Sequence, residues 1–260
     1  MGRFHRHDDG TVHNHDHGDV PHSHDHGQGD HSGYDTGSQR IDVLEAIFAE
    51  NDIRAGFNRD MFERNAVRAL NLMSSPGSGK TTVLGATLDE LAGELAIGVI
   101  EGDIATDLDA ALLDGRGAQI SLLNTGNGFG GECHLDAPMV HRALQNLDLT
   151  NLDLVIVENV GNLVCPAEFD VGEHAKAMVY SITEGDDKPL KYPVMFRAVD
   201  LVLLNKIDLL PYLDTNLDRY IAHIREVNPT ATILPVSAHT GDGMPAWFGW
   251  LRRFAAGVTT

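Results

Sequence analysis

Cysteine is almost missing from this chain. Only Cys133 and Cys165 occur in 260 residues, which excludes a fold stapled by disulfides. Long apolar runs are missing as well. No stretch approaches the ~18 residues that span a bilayer, and the opening MGRFHRHDDG has no apolar core of a secretory leader. Basic charge is scarce: 19 Lys+Arg stand against 38 Asp+Glu, a formal net charge of -19. A surface of that sign repels phosphate backbones and anionic lipid, so neither nucleic acid nor membrane is an expected partner. A cytoplasmic chain with reduced thiols is the expectation. The length suits one large α/β domain or two small ones, and 42% hydrophobic residues can supply a core.

Histidine is what the chain has in excess. Nine of its 14 histidines lie in the first 31 residues: His5, His7, His13, His15, His17, His22, His24, His26 and His31. Residues 1–39 are otherwise Gly, Asp and Ser, with seven Asp against two Arg. Such a segment buries too little apolar surface to offset the entropy of folding, so it reads as a disordered tail. Runs such as His13-Asn-His15-Asp-His17 and His22-Ser-His24-Asp-His26 hold many neutral imidazoles on one chain, a chemistry suited to Ni²⁺, Cu²⁺ and Zn²⁺. A purification tag or a solvated linker is the plain alternative, although a tag would be an unbroken His run.

The pattern changes at Ile41. Ile41, Leu44, Ile47 and Phe48 recur at helical spacing, with Ile53, Phe57 and Met61 extending the stripe and a break expected near Gly56. From residue 66 onward, apolar strands alternate with helical stretches. Strands are expected at 69–73, 97–101, 119–124, 152–158, 179–183, 201–205 and 232–236. Helices are expected at 81–91, 108–113, 137–147, 213–227 and 245–254. This alternation predicts an α/β fold with a mainly parallel sheet and helices on both faces. Residues 1–39 then form the tail and 40–260 the folded domain. Ligands of such sheets bind at the carboxyl ends of the strands, where every motif below falls.

After the first of these strands comes Ser74-Ser75-Pro76-Gly77-Ser78-Gly79-Lys80-Thr81-Thr82. A strand, a Gly-rich loop closing in G-K-T and a helix make a phosphate loop: Gly77 and Gly79 turn backbone N–H groups inward, Lys80 neutralises the β and γ phosphates, and Thr81 ligates Mg²⁺. The usual opening Gly is here Ser74. A Gly-rich turn into a helix is the bland alternative. Leu201–Asn205 delivers Asn205-Lys206-Ile207-Asp208 to a strand end. A carboxylate at Asp208 accepts from N1–H and the exocyclic amine of guanine, a donor pair adenine lacks. Asn205 can tie loops together, the Lys206 stem can cover the ring, and Ser237-Ala238 can present backbone N–H to the guanine oxygen. The base is therefore read as guanine, and the ligands as GTP and GDP.

Glu101-Gly102-Asp103 and Glu158-Asn159-Val160-Gly161 close two further strands. Asp103 is placed beside Mg²⁺ or the attacking water, Glu158 at the position of a Walker B acid, and Gly161 with its N–H toward the γ-phosphate. Lys80, Asp103 and Glu158 form the catalytic set, and Thr81, Asp103 and Glu158 the Mg²⁺ set; simple loop capping by the acids is the alternative. No Gln stands at the water-positioning place of small signalling GTPases, which predicts slow intrinsic turnover. Cys133-His134 and Cys165 leave what are expected to be neighbouring strand ends. Two thiolates and an imidazole suit Zn²⁺ or Ni²⁺ with one open position, or two unrelated buried thiols.

SSPGSGKT, EGDIATDLDA, ECHLDAPMV, IVENVGNLVCPAEFDVGEHA and LLNKIDLLPYLD together resemble the nickel GTPases of hydrogenase maturation, the HypB family, over about residues 40–260. The resemblance implies a P-loop GTPase that supports nickel delivery into the [NiFe]-hydrogenase large-subunit precursor. It implies a HypA-type metallochaperone partner and a homodimer favoured by GTP. It also implies that Cys133, His134 and Cys165 are the metal ligands of the GTPase domain, and it accounts for Ser74. The Cys-rich N-terminal nickel motif of some members is absent here, since no cysteine precedes Cys133; the His tail would store nickel instead. Residues Gly126–Gly131 make the loop before Cys133 long for the family. The urease-accessory relatives carry Cys-Pro-His, whereas Cys165-Pro166 is followed by Ala167. A metal buffer with a regulatory GTPase domain is the remaining alternative; an ATP-dependent switch is opposed by Asn205 and Asp208.

Overall fold

The computed structural model describes residues 5–6, 12–13, 36–102, 113–123, 134–162 and 165–258, with side chains from residue 48 on, that of Cys165 excepted. The chain divides into two units, Met1–Asp42 and Val43–Thr260. In the first unit, β1 (His5–Arg6) pairs antiparallel with β2 (Val12–His13), His5 opposite His13. Helix α1 spans Thr36–Arg64. It starts five residues before Ile41 and runs without a break through Gly56. A glycine inside a helix costs only about 1 kcal/mol relative to alanine, and the packing of Ala55 and Phe62, both 1% exposed, holds the helix through it.

The sheet is built from β3 (Arg68–Ser74), β4 (Ile97–Glu101), β5 (Gln119–Leu122), β6 (Leu154–Gly161), β7 (Ala175–Ser181), β8 (Leu201–Asn205) and β9 (Thr232–Pro235). Its order is β5-β4-β6-β3-β7-β8-β9, and every pairing is parallel. Strands buried on both faces should read as near-continuous apolar runs, as β6 and β8 do. Alternate residues supply the two layers of core. Leu70, Leu72, Val99, Ile156, Val179 and Leu203 face α2 (Lys80–Leu91) and the last helix, Met244–Ala255. On the other face, Ala69, Ile100, Val155 and Val157 pack with Phe62 of α1 and with α3 (Ala137–Leu144). Met73, Met178, Tyr180 and Leu204 pack there with Phe196 and Tyr220. No helix among the described residues is long and apolar enough to cross a membrane.

Several expected bounds move. The strand expected at 179–183 is β7, which begins at Ala175; residues 182–184 instead form a 3-10 turn closed by a Ser181/Glu184 capping box. Three short helices were not anticipated: α4 (Cys165–Glu168), α5 (Lys188–Lys191) and α6 (Pro193–Arg197). The helix expected from Leu213 is α7, Leu217–Val227. A 3-10 segment, Ile207–Tyr212, contains Pro211, and the Asn216 side chain caps the start by accepting from Arg219 N. The last helix, α8 (Met244–Ala255), and the remaining strands fall within a few residues of expectation. The helix expected at 108–113 lies outside the described residues apart from Leu113, which is buried. The strand ends that lead to Cys133 and Cys165 are not neighbours, because β4 lies between β5 and β6.

Candidate functional site

The carboxyl edge of the sheet gathers the expected motifs into one cleft of about 400 Å³, lined by Ser74–Thr82, Gly161 and Lys206. Its floor is the loop between β3 and α2. Gly77 (φ 74) and Gly79 (φ 93) sit in left-handed conformations that favour glycine. Gly79 needs its bare Cα for a second reason: a Cβ there would lie 2.7 Å from Asn205 Nδ2. Ser78 Oγ donates to Ser75 O at 2.5 Å, which rounds the turn. Ser74, at the position usually held by glycine, is the last residue of β3 and is 1% exposed. Outside the loop, Ser75 Oγ donates to Glu184 Oε2 at 2.5 Å and accepts from Lys188 Nζ at 2.9 Å. Lys188 also pairs with Glu184, so the segment after β7 braces the loop, a contact with no signal in the residue pattern.

Lys80 and Thr81 open α2 and converge on one acid. Lys80 Nζ lies 2.6 Å and Thr81 Oγ1 2.9 Å from Glu158 Oε1. Lys80 is 6% exposed and Glu158 fully buried. Burial pushes the Glu158 carboxyl up, but the Lys80 ammonium and the side-chain hydrogen bonds of Glu101, Lys80 and Thr81 together outweigh it, and the net direction is down. Glu158 is not at the end of its strand, as expected, but three residues inside β6, level with Glu101 of β4 and Leu72 of β3. The strand continues to Gly161, where a Cβ would lie 3.3 Å from Pro76 Cα; Gly161 therefore rests directly on the phosphate loop.

Asn205 clamps the other side of the cleft. Its Nδ2 donates to Ser78 O at 2.9 Å and its Oδ1 accepts from Ala238 N at 3.1 Å. One amide thus ties β8, the phosphate loop and the segment after β9. Lys206, in a left-handed conformation (φ 67), returns its ammonium to Gly77 O at 2.6 Å. Ser237 Oγ donates to Asp208 Oδ1 at 2.6 Å and accepts from Thr240 N at 3.1 Å. These bonds fix the Asp208 carboxylate before any base arrives.

The metal and switch residues are placed less completely. Asp103 and Cys133 lie outside the described residues, as does the side chain of Cys165, whose backbone opens α4. Among the tail histidines, His5 and His13 fall in β1 and β2 and the rest lie outside. No group of three His, Cys, Asp or Glu suited to a metal ion occurs among the described residues. His134 is described. Its ring stacks on Phe169 at 3.9 Å between centroids, and Phe169 stacks in turn on Phe48 at 5.1 Å. Phe169 directly follows α4, so the segments bearing Cys133-His134 and Cys165 meet at this stack.

Around it runs a set of buried amides that sequence reasoning missed. Asn58 Nδ2 donates to Ala137 O and Val171 O, both at 3.0 Å, and its Oδ1 lies 2.8 Å from His141 Nδ1. Asn51 joins Ala137 N to Asp170 O. Asn159 Oδ1 accepts from Leu135 N at 3.1 Å. An asparagine inside an apolar strand, such as Asn71 in Ala69-Leu-Asn-Leu-Met73, was the available signal, since buried amides require partners.

The CobW/HypB/UreG nucleotide-binding domain model matches residues 68–235, from the first residue of β3 to the last of β9. The hydrogenase maturation factor HypB of Rhizobium leguminosarum bv. viciae is 52% identical over 216 residues, covering 83% of this chain and 71% of that protein. The crystal structure of HypB from Archaeoglobus fulgidus superposes with a TM-score of 0.74 at 35% identity, covering 80% of this chain and 99% of that one. HypB from Helicobacter pylori, solved in complex with nickel, gives 0.74 at 32% identity, covering 81% and 98%. The likeness extends along most of the folded unit, from the phosphate loop through the last strand, and the chain belongs to the HypB family of hydrogenase maturation factors.

Proposed function

We propose that this chain is a nickel-handling GTPase that hydrolyses GTP to support nickel delivery into the [NiFe]-hydrogenase large-subunit precursor. The observation that carries the GTP reading is the Ser237–Asp208 bond, with Asn205 linking base segment and phosphate loop. An acid held in place accepts the two guanine donors without reorganising, and it rejects adenine because its own charge would be left desolvated and unmet.

Pro76, Gly77, Ser78 and Gly79 would wrap the phosphates with Thr82 beside them, and Lys80 would exchange Glu158 for phosphate oxygens. A hydroxyl and a carboxylate are hard oxygen donors, so Thr81 and Glu158, already 2.9 Å apart, suit Mg²⁺, with Asp103 as the third ligand. The ion would neutralise charge developing on the phosphates. Gly161, lying on Pro76, is placed to exchange that contact for a phosphate oxygen. The absence of a water-positioning Gln supports slow turnover.

Cys133, His134 and Cys165 are read as the metal set, for Ni²⁺ as cargo and Zn²⁺ as an alternative. The support is that both segments meet at the His134–Phe169 stack and that a relative was solved with nickel. The nine tail histidines would store nickel. A cytoplasmic location, a homodimer favoured by GTP, a HypA-type metallochaperone and the hydrogenase precursor as partners belong to the same reading. The test is twofold. Purified chain is assayed for GTP and ATP hydrolysis, and a strain lacking this protein is complemented at low nickel with the parental or Lys80→Ala chain. Preferential GTP hydrolysis, with maturation lost in Lys80→Ala, is expected. Equal use of ATP, or maturation intact in Lys80→Ala, would sink it.

A further inference from the structure

Leu135 is held from two sides at once. Its backbone N–H donates to Asn159 Oδ1 at 3.1 Å, and its side chain fills the space where Gly102 lacks a Cβ, a Cβ there falling 2.5 Å from Leu135 Cδ1. Both holders belong to the nucleotide side of the sheet. Asn159 follows Glu158, the acid that Lys80 and Thr81 share. Gly102 precedes Asp103, and its N–H donates to Glu158 O at 3.0 Å. Leu135 itself directly follows Cys133-His134. It is fully buried, as is Asn159.

The amide of Asn159 is fixed in orientation. Its Oδ1 also accepts from Val160 N at 3.0 Å, and its Nδ2 donates to Asn71 Oδ1 at 3.2 Å. Asn71 Nδ2 in turn reaches Glu173 Oε1 at 3.3 Å, and Glu173 Oε2 accepts from Val171 N at 2.7 Å. The chain of bonds crosses β6 and β3 and ends behind α4, the helix that Cys165 opens. A shift of Glu158 or of the Gly102 turn therefore meets a packed leucine and a committed hydrogen bond, neither of which can stretch; interiors at close packing transmit strain.

We propose that Asn159, with the Gly102–Leu135 contact, is the positioning device that couples the nucleotide state to the Cys133–His134 metal segment. The inference rests on reading Cys133, His134 and Cys165 as metal ligands and adds the residues that transmit the state of the cleft to them. Asn159 touches neither ligand. Its role is to make the Leu135 backbone, and so the ring of His134, follow β6.

The experiment uses the intact chain and Ni²⁺ alone as the probe, titrated in GDP and in a non-hydrolysable GTP analogue. Thiolate-to-nickel charge-transfer absorption is the signal; the tail has no cysteine and cannot produce it. The parental chain should bind with affinities differing by about 5–150-fold between nucleotides, the usual range for coupled sites. In Asn159→Ala the ratio should fall to within about twofold of one, while the charge-transfer band and nucleotide binding persist. Gly102→Ala leaves the Asn159 amide in place and pushes Leu135 away, and it should collapse the ratio independently. A purely structural role would weaken binding in both nucleotides and leave the ratio as it was; a parental ratio in both variants overturns the proposal. A parental chain with no thiolate band overturns the metal reading and with it the coupling; a thiolate band indifferent to nucleotide leaves the metal reading standing and overturns the coupling alone, so the two failures are told apart.

Discussion

The two flanks of the cleft are built on different principles. On the base flank, Asn205, Lys206, Asp208, Ser237 and Ala238 come from two short segments; Asn205 and Ser237 are buried, and Lys206, Asp208 and Ala238 are partly exposed. On the metal flank, the contacts are buried amides reaching across 24 to 119 residues of sequence, such as Asn159 to Leu135 and Asn51 to Asp170. The base flank is likewise joined to the phosphate loop by long-range bonds, Asn205 to Ser78 O and Lys206 to Gly77 O, but its acid, Asp208, is held by the neighbouring segment through Ser237. If the metal flank answers the occupant of the cleft, as proposed, its partners on several strands are what that role requires, and the acid next to it, Glu158, is buried. Glu158 and Lys80 illustrate the cost. A buried ion pair returns little net stability, yet removing one partner is expensive.

Lys80→Ala probes that asymmetry hardest. It takes the cation from fully buried Glu158, and the chain without nucleotide should lose about 3–5 kcal/mol of stability, read by urea unfolding. Nucleotide hydrolysis should fall by roughly 10²–10³-fold, the usual cost of removing one preorganised charge from a phosphoryl-transfer site. Unchanged unfolding would mean that Glu158 is not committed to Lys80 and that the metal flank is as loosely held as the base flank.

Asp208→Asn tests the other flank with a smaller effect. The amide keeps the size but presents a donor toward guanine's donors. Two hydrogen bonds to a charged group are lost, each worth about 1.5–3 kcal/mol. GTP affinity should drop by at least tenfold with no change in unfolding, and xanthosine triphosphate, which carries an oxygen in place of the amine, should bind better than GTP. A stability loss here would erase the contrast between the flanks.

The base flank was legible in the sequence for the same reason that it is simple. Asn205-Lys206-Ile207-Asp208 and Ser237-Ala238 follow apolar strands, and Asn205 ties loops together as expected, whereas the Lys206–Gly77 and Ser237–Asp208 bonds were not anticipated. The parallel sheet was legible from runs such as Leu154–Val157. The metal flank was read only in part. Cys133, His134 and Cys165 were noticed by residue type, but their strand ends were taken as neighbours when β4 intervenes. What brings the segments together is Phe169 on His134 and the amides of Asn51, Asn58 and Asn159, whose partners are fixed by topology and not by spacing. The true start of β7 was hidden because Lys176, whose ammonium reaches the Ala167 and Phe169 carbonyls, interrupts the apolar pattern, and its end was overrun because Ile182 continues that pattern into the 3-10 turn.

Acid should act at a third place, the amino edge of the sheet, away from both flanks. His174 Nδ1 accepts from Ala69 N at 2.9 Å, which requires the neutral ring. Burial, reinforced by Arg68 and Arg59, lowers its pKa to about 4 from 6.5. The unfolded chain then binds the proton more readily, so this contribution is complete above pH ~6.5 and is lost as pH falls toward ~4. With the ring partly open to solvent, the loss should be on the order of 1–2 kcal/mol. His174→Asn keeps an acceptor for Ala69 N without titrating there. Its urea midpoint should vary less with pH across that window than the parental one; parallel curves would remove His174 from the account.

Ser237→Ala should produce the smallest change, and it asks whether the base flank owes anything to preorganisation. Ser237 is buried; its hydroxyl donates to Asp208 and accepts from Thr240 N, and since Asp208 is partly exposed and Thr240 exposed, water can meet both partners once the hydroxyl is gone. Stability should therefore move by less than about 1 kcal/mol. GTP affinity should still fall about three- to tenfold, because Asp208 must then be oriented at the moment of binding, and that ordering is charged to the ligand. Equal affinities for the serine and alanine chains would mean that Asp208 finds its pose unaided. The rigidity of the base flank would then rest on the Asn205 clamp alone.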